Sequence, residues 1–232
     1  MERAWGELGL TEADWVPVVY VNSTAEVKAA CGARGGSACT SSNAPTVFEW
    51  ALSCGKRVFF LPDEHLGVNT AADLGIPGDR VCVYQPGVER GGLSRAAVEH
   101  ARVIVWKEFC HVHKLFAARH VDAVRGAIPD ARIVVHPECP AEVVRKADDH
   151  GSTSQIIRWV ESAPEGSTVV VGTEHNLVQR LAETHAGRVA VRALAPSICT
   201  NMAMTHERSL LDLLTDWPPS CRVAVAPDTA TQ

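Results

Sequence analysis

Short runs of β-branched and apolar residues recur along the chain at 18–21, 58–61, 103–106, 133–135, 169–171 and 189–191. Each is of strand length and apolar almost throughout, the pattern of a strand buried on both faces. The stretches between them, among them 23–30, 44–52, 118–126, 141–146, 154–162 and 176–185, read as helices. Asn43 ahead of Pro45 marks one helix start, because Asn suits the free amides of a first turn and Pro tolerates that turn. Strands separated by helices predict a parallel sheet covered on both faces, so the chain is read as α/β.

Polar residues gather just after the strands: Tyr20-Val21-Asn22-Ser23, Cys39-Thr40-Ser41-Ser42-Asn43, Pro62-Asp63-Glu64-His65, Cys110-His111-Val112-His113, His136-Pro137-Glu138-Cys139 and Gly172-Thr173-Glu174-His175. In parallel α/β folds ligands bind beyond the carboxyl ends of strands, where helix N-termini also point. Ser, Thr, Asn and Asp before a helix are routine caps. The histidines and Glu138 go beyond what capping needs, so the clusters predict a shared site. The turn-rich segment 85–94 reads as a surface loop, and strand–helix alternation resumes after it. The expected division is 1–102 carrying Tyr20, Asn22 and Ser41; 103–190 carrying Cys110, His136 and Glu138; and 191–232 carrying Cys199.

At 232 residues and 46% hydrophobic, the chain can bury a substantial core. A net charge of −5 gives no electrostatic reason for a nucleic-acid or anionic-membrane partner. No run approaches the roughly 18 apolar residues of a spanning helix, and Met1-Glu2-Arg3 opens no signal peptide, so a cytoplasmic protein is expected. Eight cysteines are many for such a chain, yet no two lie within four residues of each other. That spacing excludes compact CxxC zinc and ferredoxin signatures, so any metal ligands come from distant segments.

The ordered series Tyr20-Val21-Asn22-Ser23, Cys39-Thr40-Ser41-Ser42-Asn43-Ala44, Trp106-Lys107-Glu108-Phe109-Cys110-His111-Val112-His113, Val135-His136-Pro137-Glu138-Cys139-Pro140, Gly151-Ser152-Thr153-Ser154, Val171-Gly172-Thr173-Glu174 and Ile198-Cys199-Thr200-Asn201-Met202 resembles quinolinate synthase, an enzyme of NAD biosynthesis. The resemblance covers nearly the whole chain. It implies Rossmann-like parallel-sheet domains, three in the family, around a 4Fe-4S cluster held by one cysteine from each. The fourth iron would act as a Lewis acid while iminoaspartate and dihydroxyacetone phosphate close to quinolinate. Carried over residue by residue, Cys110 and Cys199 fall at the second and third ligand positions. His113, His136, Glu138 and Tyr20 fall at catalytic positions. Tyr20, Asn22, Ser41, His136, Glu138, Ser152 and Thr153 fall at substrate-binding positions. His111 is expected to alternate away from His113 if the segment is extended. Cys139 is no family ligand, and Cys31, Cys54, Cys82 and Cys221 match no motif.

The resemblance starts at Tyr20, where the family already has a complete domain behind it, and stops before a final family helix. The chain is therefore expected to be a fragment, a truncated frame or one half of a split enzyme, with two of three cluster cysteines and little activity alone. L-aspartate oxidase or a complementary fragment is the expected protein partner. Two other readings stand beside this one. One is a catalytically dead module that binds dicarboxylates or phosphates. The other is a zinc or redox protein using Cys110, His113, Cys139 and His136.

Overall fold

The apolar runs form strands, and the strands form two sheets, in a computed structural model that describes residues 1–230. The first unit runs α1 (Glu2–Leu8), β1 (Trp15–Tyr20), α2 (Ala25–Gly32), β2 (Ser37–Cys39), α3 (Ala44–Ser53), β3 (Arg57–Leu61), α4 (Glu64–Asp73), β4 (Val81–Tyr84), α5 (Arg95–His100) and β5 (Val103–Trp106). Its strands are all parallel, in the order β2-β1-β3-β5-β4. The second unit runs α6 (His111–Lys114), α7 (Ala118–Ala127), β6 (Arg132–Val135), α8 (Ala141–Val144), β7 (Asp149–His150), α9 (Thr153–Glu161), β8 (Thr168–Gly172), α10 (His175–Thr184) and β9 (Ala190–Ala193). Its order is β7-β6-β8-β9, again all parallel. Three further helices follow: α11 (Thr200–Ala203), α12 (Glu207–Asp216) and α13 (Pro227–Ala230).

Alternation along the strands feeds two cores per sheet. On β3, Val58 and Phe60 pack with Val16, Val18 and Phe48 on one face. Phe59 and Leu61 pack with Trp5, Leu8 and Trp15 on the other. The second sheet divides likewise, with Val169 and Val171 on one side and Val170 on the other. Burying side chains of this size stabilises by about 1.5–3 kcal/mol each, which holds the strands in a register that can present loops at one end.

The sheets refine the expected division. β5 pairs with both β3 and β4, so Val103–Trp106 lies inside the first sheet and the change of unit follows Trp106. The turn-rich segment 85–94 connects β4 to α5 within one unit. β9 completes the second sheet beside β8, so that sheet extends past residue 190. Asn43 does occupy the N-cap of α3, but its side chain turns back, accepting from the Thr40 amide at 2.7 Å and the Thr40 hydroxyl at 3.0 Å.

Helix α4 was not evident from periodicity, because it is buried nearly all round: His65, Leu66, Gly67, Asn69, Thr70 and Ala71 are all inaccessible. Gly67 seats it. A Cβ there would lie 2.6 Å from Cδ1 of Phe60 and 2.6 Å from Cγ1 of Val105, so only glycine lets the helix lie this close to the sheet. Gly67→Ala is expected to cost about 1–3 kcal/mol through overpacking. Urea denaturation of the variant checks this, and an unchanged midpoint would mean that α4 can lift without loss.

Candidate active site

Each sheet has a point near its middle where the strand order reverses, and both of these points face the same space. In the first sheet β1 and β3 lie side by side with the chain leaving them in opposite directions; in the second, β6 and β8 do. Such switch points open a crevice beyond the strand ends. The loop after β1 brings Tyr20 and Asn22, that after β3 brings Asp63, that after β6 brings His136 and Glu138, and that after β8 brings Thr173 and Glu174. Together with Ser41, Thr153, Cys110, His113 and Cys199 they line one cavity of about 960 Å³.

Its floor is a buried charge cluster. Glu138 and His113 are both buried, and their Oε2 and Nδ1 atoms lie 2.8 Å apart. At that distance the imidazole and the carboxylate form a close charge contact. Nε2 of His113 lies 3.1 Å from the Thr173 hydroxyl. His136 stacks on His113 with ring centroids 4.1 Å apart and planes 9° from parallel. Its Nδ1 is 3.2 Å from the same Glu138 oxygen.

Burial alone would favour neutral forms of all three groups, and the contacts overrule it for two. Burial raises the Glu138 carboxyl, but the two imidazoles hold it well below its usual range. Burial lowers His113, but the Cys110 sulfur and the Glu138 carboxylate hold it above its usual range. Burial wins at His136, which stays lowered although Glu138 acts the other way. The floor is therefore a carboxylate, an imidazolium and a neutral imidazole. Tyr20 is raised by burial and by the Glu138 charge, so its phenol is a donor near neutral pH.

The two cysteines expected as cluster ligands both reach this cavity, each from the segment that follows the last strand of a sheet. Cys110 precedes α6, and its amide donates to Oδ2 of Asp63 at 3.0 Å. Cys199 precedes α11, and its sulfur accepts from the Met202 amide at 3.5 Å. Their segments are stitched together on either side. The buried Ser197 hydroxyl donates to the Val112 carbonyl at 2.8 Å, and Thr200 Oγ1 meets His111 Nε2 at 3.4 Å. Among the described residues no further cysteine lines the cavity. Cys139 is fully buried, with its thiol 3.7 Å from the Gly172 carbonyl. The donors that do converge are Cys110, His113 and Glu138, whose ligand atoms lie within 4.8 Å of one another.

The chain matches the sequence model of quinolinate synthetase A protein (NadA) over residues 4–232. It belongs to the quinolinate synthase family. It is 48% identical over 206 residues to the quinolinate synthase of Halalkalibacterium halodurans, covering 88% of this chain and 56% of that protein. It is 44% identical over 202 residues to that of Rhodopirellula baltica, covering 86% and 51%. For Anoxybacillus flavithermus the figures are 44% over 207 residues, 89% and 56%. The chain thus spans about half the length of the curated quinolinate synthases it matches.

Of the residues singled out for the family, Tyr20, Asn22, Ser41, Cys110, His113, His136, Glu138, Thr153 and Cys199 share the cavity wall. Ser152 stands behind it. Its amide donates to Gln155 Oε1 at 2.8 Å, while its hydroxyl is buried without a partner. His111 differs from expectation: residues 111–114 are helical rather than extended, so alternation does not apply, and His111 lines the cavity too. Asp63, Thr173 and Glu174 carried no role in the sequence reading beyond their place in polar clusters. Asp63 N-caps α4 while holding the Cys110 amide, Thr173 meets His113, and Glu174 caps α10.

His65 lies two residues after the Asp63 cap of α4, with its ring 6.4 Å from Phe109 on the cavity wall and its Nε2 unpartnered. Burial, helped by the Lys114 charge, pulls its pKa from 6.5 down to about 4. Between those values the unfolded chain binds the proton and the folded one does not, so this group's stabilisation is present above pH 6.5 and lost as pH falls towards 4. His65→Gln is expected to flatten the rise of stability with pH in that window. Denaturation midpoints of both proteins across the window test it, and parallel curves would contradict it.

Proposed function

We propose that this cavity is the part of a quinolinate synthase site contributed by this chain: iminoaspartate and dihydroxyacetone phosphate condense there to quinolinate, with release of phosphate and two waters. The observation that carries the reading is the convergence on one cavity of Cys110 and His113 from the segment after β5, Glu138 from the loop after β6 and Cys199 from the segment after β9. Thiolate chemistry suits a 4Fe-4S cluster, and two thiols fit two of its ligands. A third thiolate would come from outside the described residues, since among them no third cysteine lines the cavity. Bound, the cluster would supply an open iron that polarises a substrate oxygen as a Lewis acid.

The chain's own residues supply orientation and proton transfer. Asn22, Ser41 and Thr153 offer amide and hydroxyl groups to carboxylate and phosphate oxygens. Tyr20, kept protonated, donates to an oxygen of the bound substrate. His113, held protonated beside Glu138, can give a proton to a departing hydroxyl. Once it has moved, Glu138 loses the cation that suppresses its basicity and becomes able to take a proton from carbon. One pair thereby serves as acid first and base second. Iminoaspartate hydrolyses readily, so an L-aspartate oxidase working nearby in the cytoplasm is the matching source of substrate.

The close set of Cys110, His113 and Glu138 supports a second reading, a mononuclear zinc or redox-metal protein. Anaerobic reconstitution with iron and sulfide separates the two. The expected result is a brown protein whose bound iron falls, in Cys110→Ser or Cys199→Ser, by at least the roughly tenfold that even outer-sphere changes cost at metal sites. With iminoaspartate generated in place, the chain alone should make little quinolinate, and adding the complementary part of the family sequence should raise it. A colourless protein that takes zinc and loses it only in the Cys110 variant would support the second reading instead.

A further inference from the structure

Helix α4 belongs to the first unit, yet one of its side chains reaches the loop that carries the second unit's carboxylate. Asn69 is 3% exposed, and its Nδ2 donates to the Pro137 carbonyl at 2.7 Å and to the Cys139 carbonyl at 2.8 Å. These are the carbonyls on either side of Glu138. Both amide protons of Asn69 are thus used, on one loop, bracketing one residue. The helix that places Asn69 is seated closely against Phe60 and Val105 through Gly67. Its N-cap, Asp63, holds the amide of Cys110. One rigid element therefore sets the positions of two groups from different loops, the thiol of Cys110 and the carboxylate of Glu138.

We propose that Asn69 is the positioning residue of Glu138, fixing the Pro137–Cys139 backbone so that the carboxylate stays against His113 and His136. The reach of this inference to catalysis rests on the quinolinate synthase reading; the placement of the loop does not. A loop carbonyl left without its donor in a buried site is free to turn, and Glu138 turns with it. Ser at position 69 could restore one donor but not two, while Asp keeps the shape of Asn and removes both.

A second polar side-chain contact from α4 to the second unit serves as the control. Asp73, at the far end of the helix, pairs with His150 at 2.9 Å on the partly exposed side. If Asn69 merely helped glue the units together, breaking this pair should have a similar effect. The test uses the full chain, with quinolinate as the probe, calorimetric affinity as one readout and amide exchange at Glu138 and Cys139 as the other. Asn69→Asp is expected to weaken quinolinate binding about tenfold or more, since an ångström of misplacement at a reacting group has effects of that order. It should also speed exchange at both amides, with Asn69→Ser intermediate and Asp73→Asn unchanged in both readouts. Unchanged exchange and affinity in Asn69→Asp would overturn the proposal, as would an equal effect from Asp73→Asn. If the unmodified chain does not bind quinolinate, the functional reading fails, and the exchange rates alone decide whether Asn69 holds the loop. Should Asn69→Asp not fold, Asn69→Ser against Asp73→Asn gives the same comparison.

Discussion

Glu138 stays ionised where water hardly reaches, and it does so only because two imidazoles face it. An isolated buried carboxylate would take up a proton rather than bear the cost of desolvation. His113 lies on α6, directly after the first sheet's last strand, and Glu138 on the loop after β6, so the charge pair ties the segment leaving the first sheet to the second sheet's loop at the floor of the cavity. Removing either partner would leave the other charge buried and alone, a loss that typically costs about 3–5 kcal/mol. The charge state of the floor therefore depends on how α6 and the loop after β6 are held against each other.

That dependence explains why so much structure converges on holding loops rather than side chains. Asp63 accepts from the amides of Leu66 and Cys110, fixing the helix start and the thiol-bearing loop with one carboxylate. Ser197 and Thr200 tie the Cys199 segment to residues 111 and 112. Thr173 fixes the far nitrogen of His113. Each bond acts on the backbone or on the back of a ring, leaving the front of Tyr20, His113 and Glu138 to the cavity. Preorganisation of this kind is what makes polar groups effective towards a developing charge, since they need not reorient during reaction.

The α/β class was legible because strands buried on both faces must be apolar throughout, and β3, β5, β6 and β8 are. The site was legible because histidine and glutamate after a strand exceed what capping requires. What escaped has physical causes. β2 and β7 span only Ser37–Cys39 and Asp149–His150, too short for periodicity to register. α4 carries no amphipathic stripe because it is enclosed between the sheet and the second unit, so its sequence shows no polar face to contrast with an apolar one. The residues with the greatest structural leverage, Gly67 and Asn69, lie on that helix. A glycine and an asparagine inside a helix read locally as weak helix formers, and only the approach of Phe60, Val105 and the Pro137–Cys139 loop gives them meaning.

The cavity has two unlike ends. At the floor every ionised group is paired, and burial is nearly complete. At the rim the side chains next to the two cysteines are apolar and exposed: Phe109 is 53% accessible, Ile198 55% and Met202 59%. Water has free access to the thiols there, whereas it is excluded from Glu138. A metal group held by these thiols in this chain alone would meet solvent on the rim side, and an exposed cluster exchanges ligands with water and small thiols. Apolar side chains around a polar opening mark a surface that is more stable covered than bare. The same arrangement gives the covering surface a chemical function, because closing over the rim would remove water from the thiol side and strengthen every charge contact below it.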